Sequence, residues 1–331
     1  CDSAKMQGVD LRHATIEKST FSQTDLRGAQ LDQATFSECA WSQTDLRGAQ
    51  TEGTQLKHCM LNDVDLRDAR LPRHIYGCTM SQVHLTPTEL KGRDLSGMEM
   101  EAKDWSGVDL EGANLTGCIF REVDFRNANL RGANLERTSF GGCDLRGADL
   151  RDAHLYFSFL NDTNLEGADF RGRELEMLMF CKANLRGAKF DGAIIERCDF
   201  SEADLREACF ERARIKHALF SKAQVDGAIL RRTSFEGVDF EGIDLRSLVL
   251  DTVSFTTCLF QEANLNALDL RGHNFRMSTF NKAQMLRTNL SGCDLEMANF
   301  KETQLDGADL SGSHSPAAFF GEASCKHTNF K

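Results

Sequence analysis

Residues 144–148 read Asp-Leu-Arg-Gly-Ala, and the same five residues stand at 25–29 and 45–49. Counting outward from Leu145 in steps of five, every residue from Met80 to Leu310 is large and apolar. That makes 47 positions in succession, in a chain only 41% hydrophobic. Chance does not produce such a run, and a fixed self-similar period decides the architecture before any local assignment. Five matches neither the helical period of 3.6 nor the strand period of 2. The chain therefore turns a corner once per repeat.

Within the repeat, the large apolar residue is the centre. Two residues earlier the side chain is small, as in Ala113, Ala128, Ala133, Ala183 and Ala203, and between them sits Asp or Asn, as in Asp109, Asn114 and Asp124. After the centre come a polar residue and often Gly, as in Arg131-Gly132. Residues two apart share one face of an extended segment. The centre and the small residue thus point inward, while the Asp/Asn and the two following residues face water and make the bend.

A second period gives the number of sides. Phe fills the centres Phe120, Phe140, Phe180, Phe200, Phe220, Phe240, Phe260, Phe280, Phe300 and Phe320, with Leu160 the one exception in the series. Twenty residues is four fives, so the chain returns to the same side after four repeats. The reading is an all-β solenoid of square section with a Phe column along one inner side. Coils spaced like neighbouring strands, about 4.8 Å apart, give about 16 coils and a length on the order of 80 Å.

These repeats resemble the pentapeptide-repeat family over almost the whole chain. The resemblance implies a right-handed quadrilateral parallel β-helix, a handedness that the spacing alone does not contain. It also implies a binding or mimicry protein rather than an enzyme.

A compact chain of 331 residues usually divides into domains. A solenoid escapes that limit because each coil packs only on its neighbours, so residues 1–331 are expected to form a single repeat domain. One irregularity interrupts it, at Leu71-Pro72-Arg73-His74-Ile75: the centres run 16, 21, 26 and on to 71, then 75, 80 and 85, losing one residue. Pro72 cannot donate a ladder bond, so a kink is expected there, with a hinge or docking notch as its functional reading. The chain starts at Cys1 almost in register and ends in register at Phe320 and Phe330. Without polar caps, its open ends are expected either to meet a partner, including end-to-end self-association, or to continue as a fragment or C-terminal module of a longer protein.

No stretch approaches the roughly 20 apolar residues of a membrane helix, and no signal peptide is visible. Of the twelve Cys, eight (Cys39, Cys59, Cys78, Cys118, Cys143, Cys198, Cys258, Cys293) occupy the small inward position. They read as small buried hydrophobes in a reducing compartment, which suggests a cytoplasmic protein; the family resemblance implies a bacterial one, or an effector exported without disulfides. No Cys pair has zinc spacing, the nine His are scattered, and no phosphate loop or nucleophile elbow appears. No catalytic, cofactor or metal residue is expected, and a regular convex surface lacks a reaction pocket.

Sorting outward residues by the period of twenty exposes three columns. Arg27, Arg47, Arg67, Arg126, Arg146, Arg186, Arg206 and Arg246 follow centres on one side, with Asp25, Asp45, Asp65, Asp124, Asp144, Asp204 and Asp244 before them. Interleaving between coils would make an Asp/Arg lattice. Glu136, Glu176, Glu196, Glu236 and Glu296 form a candidate acidic strip, interrupted by Arg137 and Arg197. Beside the Phe column the outward residues are Ile119, Ser139, Phe159, Met179, Asp199, Leu219, Asp239, Leu259, Thr279, Asn299 and Phe319, six of eleven apolar, with Tyr156 and Phe157 near Phe159. A one-sided apolar column is a candidate protein-contact face.

The net charge of −11 discourages direct nucleic-acid binding, because phosphates need Lys/Arg. The leading reading is a protein-binding scaffold. By family analogy it resembles the repeat module of a secretion-associated (type VI-like) adaptor or effector. A DNA mimic that binds gyrase or topoisomerase, and a purely structural rod, are the alternatives.

Overall fold

A computed structural model describes residues 1–69, 72, 74–84, 90–101, 104–250 and 252–331. Leu71 and Arg73 of the irregular segment, and the centre Leu85, lie outside the described residues. The chain groups into two compact units, Cys1–Thr163 and Asn164–Lys331. Both are parallel β-solenoids of stacked coils, and no helix occurs among the described residues.

The first unit carries β1 (Thr15–Glu17), β2 (Thr20–Ser22), β3 (Thr35–Ser37), β4 (Ala40–Asp45), β5 (Gln55–Lys57), β6 (Met60–Asp65), β7 (His74–Tyr76), β8 (Thr79–Ser81), β9 (Glu99–Glu101), β10 (Ile119–Arg121) and β11 (Ser139–Gly141). They form two parallel sheets, β1-β3-β5-β7 and β2-β4-β6-β8-β9-β10-β11. The second unit has one sheet, β12 (Glu174–Glu176), β13 (Ile194–Glu196), β14 (Arg214–Lys216), β15 (Ser234–Glu236) and β16 (Ser254–Thr256), stacked in chain order.

The register is the sequence period made visible. Phe36 pairs with Leu56 and Ile195 with Ile215, twenty residues on. At the irregular segment the step is nineteen: Leu56 pairs with Ile75 and Leu61 with Met80, as does Asp65 with His84. Twenty returns at His74 and Asp94. One residue is thus lost between Leu66 and His74, where Pro72 is buried, and the inward faces on either side stay aligned.

Each corner is a tight turn that the repeat is built to make. Leu26 O accepts the N–H of Ala29 at 3.0 Å, and Gly28, second of the two residues between, has φ +65°. A positive φ at that place is the mark of a type II turn and favours Gly. At Gly147 (φ +71°) the demand is double, since a Cβ there would collide with Asn127 Oδ1. Elsewhere the position carries ordinary residues in the same conformation, such as His13 (φ 61°), Glu202 (φ 58°) and Lys282 (φ 58°). Each costs on the order of 1 kcal/mol. The ladder offsets it: Leu185 N–H donates to Asp204 O at 2.8 Å, and Asp204 N–H to Ala183 O at 3.0 Å.

The interior is filled by rings. Phe180, Phe200 and Phe220 stack at centroid spacings of 5.0 and 4.8 Å, and Phe260, Phe280, Phe300 and Phe320 at 5.0, 4.9 and 4.9 Å. In the first unit Phe120 and Phe140 lie 5.4 Å apart. Two further ladders, Phe170-Phe190-Phe210 and Phe235-Phe255-Phe275, line other inner sides of the second unit. Rings of different sides meet edge to face, as Phe190 and Phe200 do at 5.8 Å and 89°. Stacked and edge pairs of this kind add about 0.5–1.5 kcal/mol each beyond their area burial.

The small inward residue has a second duty where it carries a donor. Thr138 Oγ1 donates to Leu115 O at 2.7 Å and Thr303 Oγ1 to Phe280 O at 2.7 Å, each reaching the centre of the preceding coil. Cys118 Sγ reaches Leu95 O and Cys293 Sγ reaches Leu270 O, both at 3.0 Å. His273 takes the same place with a larger group, its ring nitrogens 2.9 Å from Leu270 O and 2.8 Å from Leu250 O.

Candidate protein-interaction surface

The outward column beside the Phe ladder exists in both units. In the first, Ile119 pairs with Ser139 and Ser139 with Phe159. Phe157 meets the Phe159 ring at 5.6 Å, and Tyr156, half exposed, lies 6.3 Å from Phe157. Tyr156, Phe157 and Phe159 form an aromatic cluster on the sheet face and its adjoining corner, and Ile119 stands two coils from Phe159 with Ser139 between them.

In the second unit the bridges run Met179, Asp199, Leu219, Asp239, Leu259, Thr279, Asn299, Phe319. Leu219 is 42% exposed and Leu259 43%, and Phe319 reaches 53%. The apolar residues are not contiguous. Asp199 and Asp239 stand between them, each carboxylate bonded through Oδ1 to a backbone N–H of its own turn, Ser201 and Glu241. Leu219 and Leu259 are therefore two coils, about 9.6 Å, apart with an acid between them.

The corner next to this column adds Met277 and Met297, both more than half exposed. They occupy successive coils, Met277 N–H donating to Glu296 O and Met297 N–H to Pro316 O. Neither belongs to the column read from the sequence. Both sit two residues past a centre, where the repeat carries turn formers, so their apolarity is the departure that marks them.

The Asp/Arg column forms, but mainly inside each repeat. Arg27 Nη2 lies 2.7 Å from Asp25 Oδ2 and 3.7 Å from the next coil's Asp45 through Nε. Arg47 repeats this with Asp45 (2.6 Å) and Asp65 (3.5 Å), and Arg126 with Asp124 (2.6 Å) and Asp144 (3.8 Å). An Arg two residues after an Asp folds back over the same turn, whose N–H the same carboxylate accepts. The guanidinium beside each holds Asp45, Asp65 and Asp124 below the ordinary carboxylate range. Asp149, beside Arg151, is lowered to about 2. In the second unit no Arg of this column reaches the next coil's Asp among the described residues: Arg206 and Arg246 stay with Asp204 and Asp244, and Arg186, following Asn184, pairs across coils with Glu207 instead. Exposed pairs of this kind contribute about 0–1 kcal/mol each.

The acidic strip is largely neutralised. In the first unit Glu136 has Arg137 at 3.7 Å. In the second, Arg197 lies 3.6 Å from Glu176 and 3.5 Å from Glu196, Lys216 lies 2.7 Å from Glu236, and Arg276 lies 2.6 Å from Glu296. One trio among the described residues, Asp294, Glu296 and His314, brings ligand atoms within 4.8 Å of one another. Arg276 holds both oxygens of its Glu296, so the group reads as part of the surface ion pairing.

All eight inward Cys are buried, Cys1 is exposed, and Cys181, Cys209 and Cys325 are half-buried. Burial pushes the thiols of Cys118, Cys143 and Cys198 up to about 12 and those of Cys258 and Cys293 up to about 11. No described helix is long and apolar enough to cross a membrane.

Comparison with solved structures returns HetL, a pentapeptide repeat protein involved in heterocyst differentiation regulation from the cyanobacterium Nostoc sp. strain PCC 7120. It is 26% identical, covering 70% of this chain and 86% of that one, with a TM-score of 0.22. QnrB1, a plasmid-mediated fluoroquinolone resistance protein, is 17% identical over 77% of this chain and 88% of its own, with a TM-score of 0.23. A pentapeptide repeat protein from the Arabidopsis thaliana thylakoid lumen is 26% identical over 37% and 71%, with a TM-score of 0.11. None of the curated proteins compared matches. The family model for pentapeptide repeats matches residues 104–142, 133–172, 183–221, 208–246, 258–296 and 286–312, and that for a pentapeptide repeat region matches 2–71. With its repeat, turn and coil register all in place, the chain belongs to the pentapeptide-repeat family.

Proposed function

We propose that the chain is a non-enzymatic protein-binding module whose contact face is the outward column beside the Phe ladder. The observation that carries this reading is the regular exposure of Leu219 and Leu259 at two-coil spacing, with Asp239 between them and Asp199 before. A rigid backbone holding apolar groups about 9.6 Å apart, with acids in register, suits a partner surface of apolar sockets separated by cations. Such a face costs little ordering entropy on association. Buried free thiols favour a compartment that keeps them reduced. A finer role, as the repeat module of a secretion-associated adaptor or effector, rests on family resemblance alone.

Replacing Phe159, Leu219 and Leu259 with Ser is expected to leave the coils folded: the two leucines are exposed, where substitutions shift stability by about 0.5 kcal/mol or less, and the half-buried Phe159 loses its outward packing on Phe157 while the inward centres stay in place. The same change removes a partner from a pull-down in lysate of the native host. Unchanged partners with an unchanged melting curve contradict the assignment of this face. DNA mimicry is the other reading, and the cations beside Glu176, Glu196, Glu236 and Glu296 weaken it. A supercoiling assay with purified gyrase, run on the same two proteins, separates the two: inhibition by both would favour mimicry.

A further inference from the structure

One inward column of the first unit is built of sulfur. On successive coils the small inward position is held by Cys39, Cys59 and Cys78, then by Met98 and Cys118. The ladder fixes their order in space. Met60 N–H donates to Cys39 O at 2.9 Å, Thr79 N–H to Cys59 O at 3.0 Å, Glu99 N–H to Cys78 O at 2.9 Å and Ile119 N–H to Met98 O at 2.8 Å. All five side chains are buried. In the sequence the three successive cysteines stand twenty and nineteen residues apart, a spacing that matches no metal motif, and only the stacking of coils makes them neighbours.

Packing alone asks for any small side chain here, and Ala29 and Ala34 fill the same position elsewhere, fully buried. The Cys59–Cys78 pair shows more than packing. Cys39 Sγ and Cys59 Sγ each lie 3.5 Å from a centre carbonyl of the preceding coil, Ile16 O and Phe36 O, whereas Cys78 Sγ accepts the N–H of Cys59 at 3.4 Å. Cys59 lies between the other two thiols and interacts with both. Among the described residues, no Cys, His, Asp or Glu joins this pair in a compact set of three.

Coil geometry selects what such a pair can hold. Parallel coils in register keep Cβ atoms near the coil spacing of about 4.8 Å, wider than the roughly 3.5–4.5 Å that a disulfide spans. A metal–thiolate bond is about 2.3 Å long, so an ion in line between two sulfurs sets them about 4.6 Å apart. That matches the coil spacing. Thiolate and thioether donors suit copper(I), zinc or iron–sulfur clusters. Zinc and the clusters need four ligands converging on one point, and sulfurs stacked in a row offer two to any one ion. Copper(I) accepts two ligands in line.

We propose that the first unit binds a soft monovalent cation, copper(I), between the sulfurs of Cys59 and Cys78, with Cys39 and Met98 as further sulfur donors on the coils either side. Binding breaks two S–H bonds, sends both protons to solvent and forms two S–Cu bonds, with no electron transferred. The bound group carries a net negative charge, and the Cys59 N–H that meets Cys78 Sγ is a main-chain donor that offsets it. The site is independent of the apolar column, so either assignment stands if the other fails.

The test is anaerobic transfer of copper(I) from its coloured bicinchoninate complex to the reduced protein, in a background that lacks the accessible thiols (Cys1→Ser, Cys181→Ser, Cys209→Ser, Cys325→Ser). Because the pair is buried, the protein is loaded both in the folded state and by refolding from guanidinium with the complex present. A single copper per chain is expected, with only sulfur neighbours in X-ray absorption. Cys59→Ala and Cys78→Ala are each expected to weaken binding at least about a hundredfold. Cys143→Ala, whose column neighbours are Val123 and Thr163, is expected to leave it unchanged. Alanine is the repeat's own residue at this position, so all three variants keep the circular dichroism of the background protein. Four results overturn the proposal: no copper withdrawn by either route, undiminished uptake by Cys59→Ala or Cys78→Ala, nitrogen or oxygen neighbours at the metal, or a Cys59–Cys78 disulfide in the folded protein exposed to air.

Discussion

Phe240→Asp and Leu185→Asp are each expected to abolish the cooperative thermal unfolding transition of the folded protein near its wild-type temperature. Phe240 is 2% exposed and stacked 5.7 Å from Phe220 and 5.2 Å from Phe260; Leu185 is fully buried. Either substitution removes an apolar side chain worth about 1.5–3 kcal/mol of transfer free energy. Each also places a carboxyl where the neighbours offer only rings and methyl groups. An uncompensated buried polar group adds several kcal/mol, so the total exceeds about 4 kcal/mol, the range reserved for core-breaking changes. Because coils pack only on coils, the damage is expected to spread to the adjacent turns. Circular dichroism melting of the two variants checks this, and wild-type melting of both would mean that the centres do not point inward.

Thiol reactivity is expected to split twelve identical side chains into sharply different classes. With a colorimetric disulfide reagent at pH 7.5, Cys1 reacts first, and Cys181, Cys209 and Cys325 follow more slowly. The eight inward Cys are expected to stay unmodified until guanidinium unfolds the chain, whereupon all twelve react. For Cys118, Cys143 and Cys198, raised to about 12, the thiolate fraction falls roughly a thousandfold at neutral pH, whereas Cys59, lowered by the neighbouring Cys78 thiol, is protected by burial alone. Burial adds exclusion of the reagent. Fast modification of all twelve in the folded protein would show that the small inward positions are open to solvent.

How much of this was legible in the sequence depends on what each feature rests on. Period carries architecture, so the inward centres, the small inward residues and the nineteen-residue step around Pro72 follow from counting alone. Phe170, Phe190 and Phe210 form a second ring ladder, too short a run among Leu centres such as Leu150 and Leu230 to stand out as a column in the sequence. The Asp/Arg column was legible as a column but not as a bonding pattern. Which Asp an Arg reaches depends on how a turn folds its side chain back, and Arg186 changes partner merely because residue 184 is Asn. The apolar contact column was legible by position, whereas Met277 and Met297 sit at a turn position that no periodic argument expects to be apolar. Val249, 75% exposed, was marked in the sequence by two departures from the repeat, Leu248 at the small inward position and Val249 itself where Asp or Asn usually stands, although Leu245 and Leu250 keep the period on either side.

The account depends on a coil of twenty residues closing on itself in each unit. A crystal structure tests it most directly, through the vertical neighbours of a single side chain. The prediction is that the Phe200 ring lies between Phe180 and Phe220 at about 5 Å on either side, nearly parallel to both. Neighbours at any other sequence separation, or these segments found as helices, would contradict it.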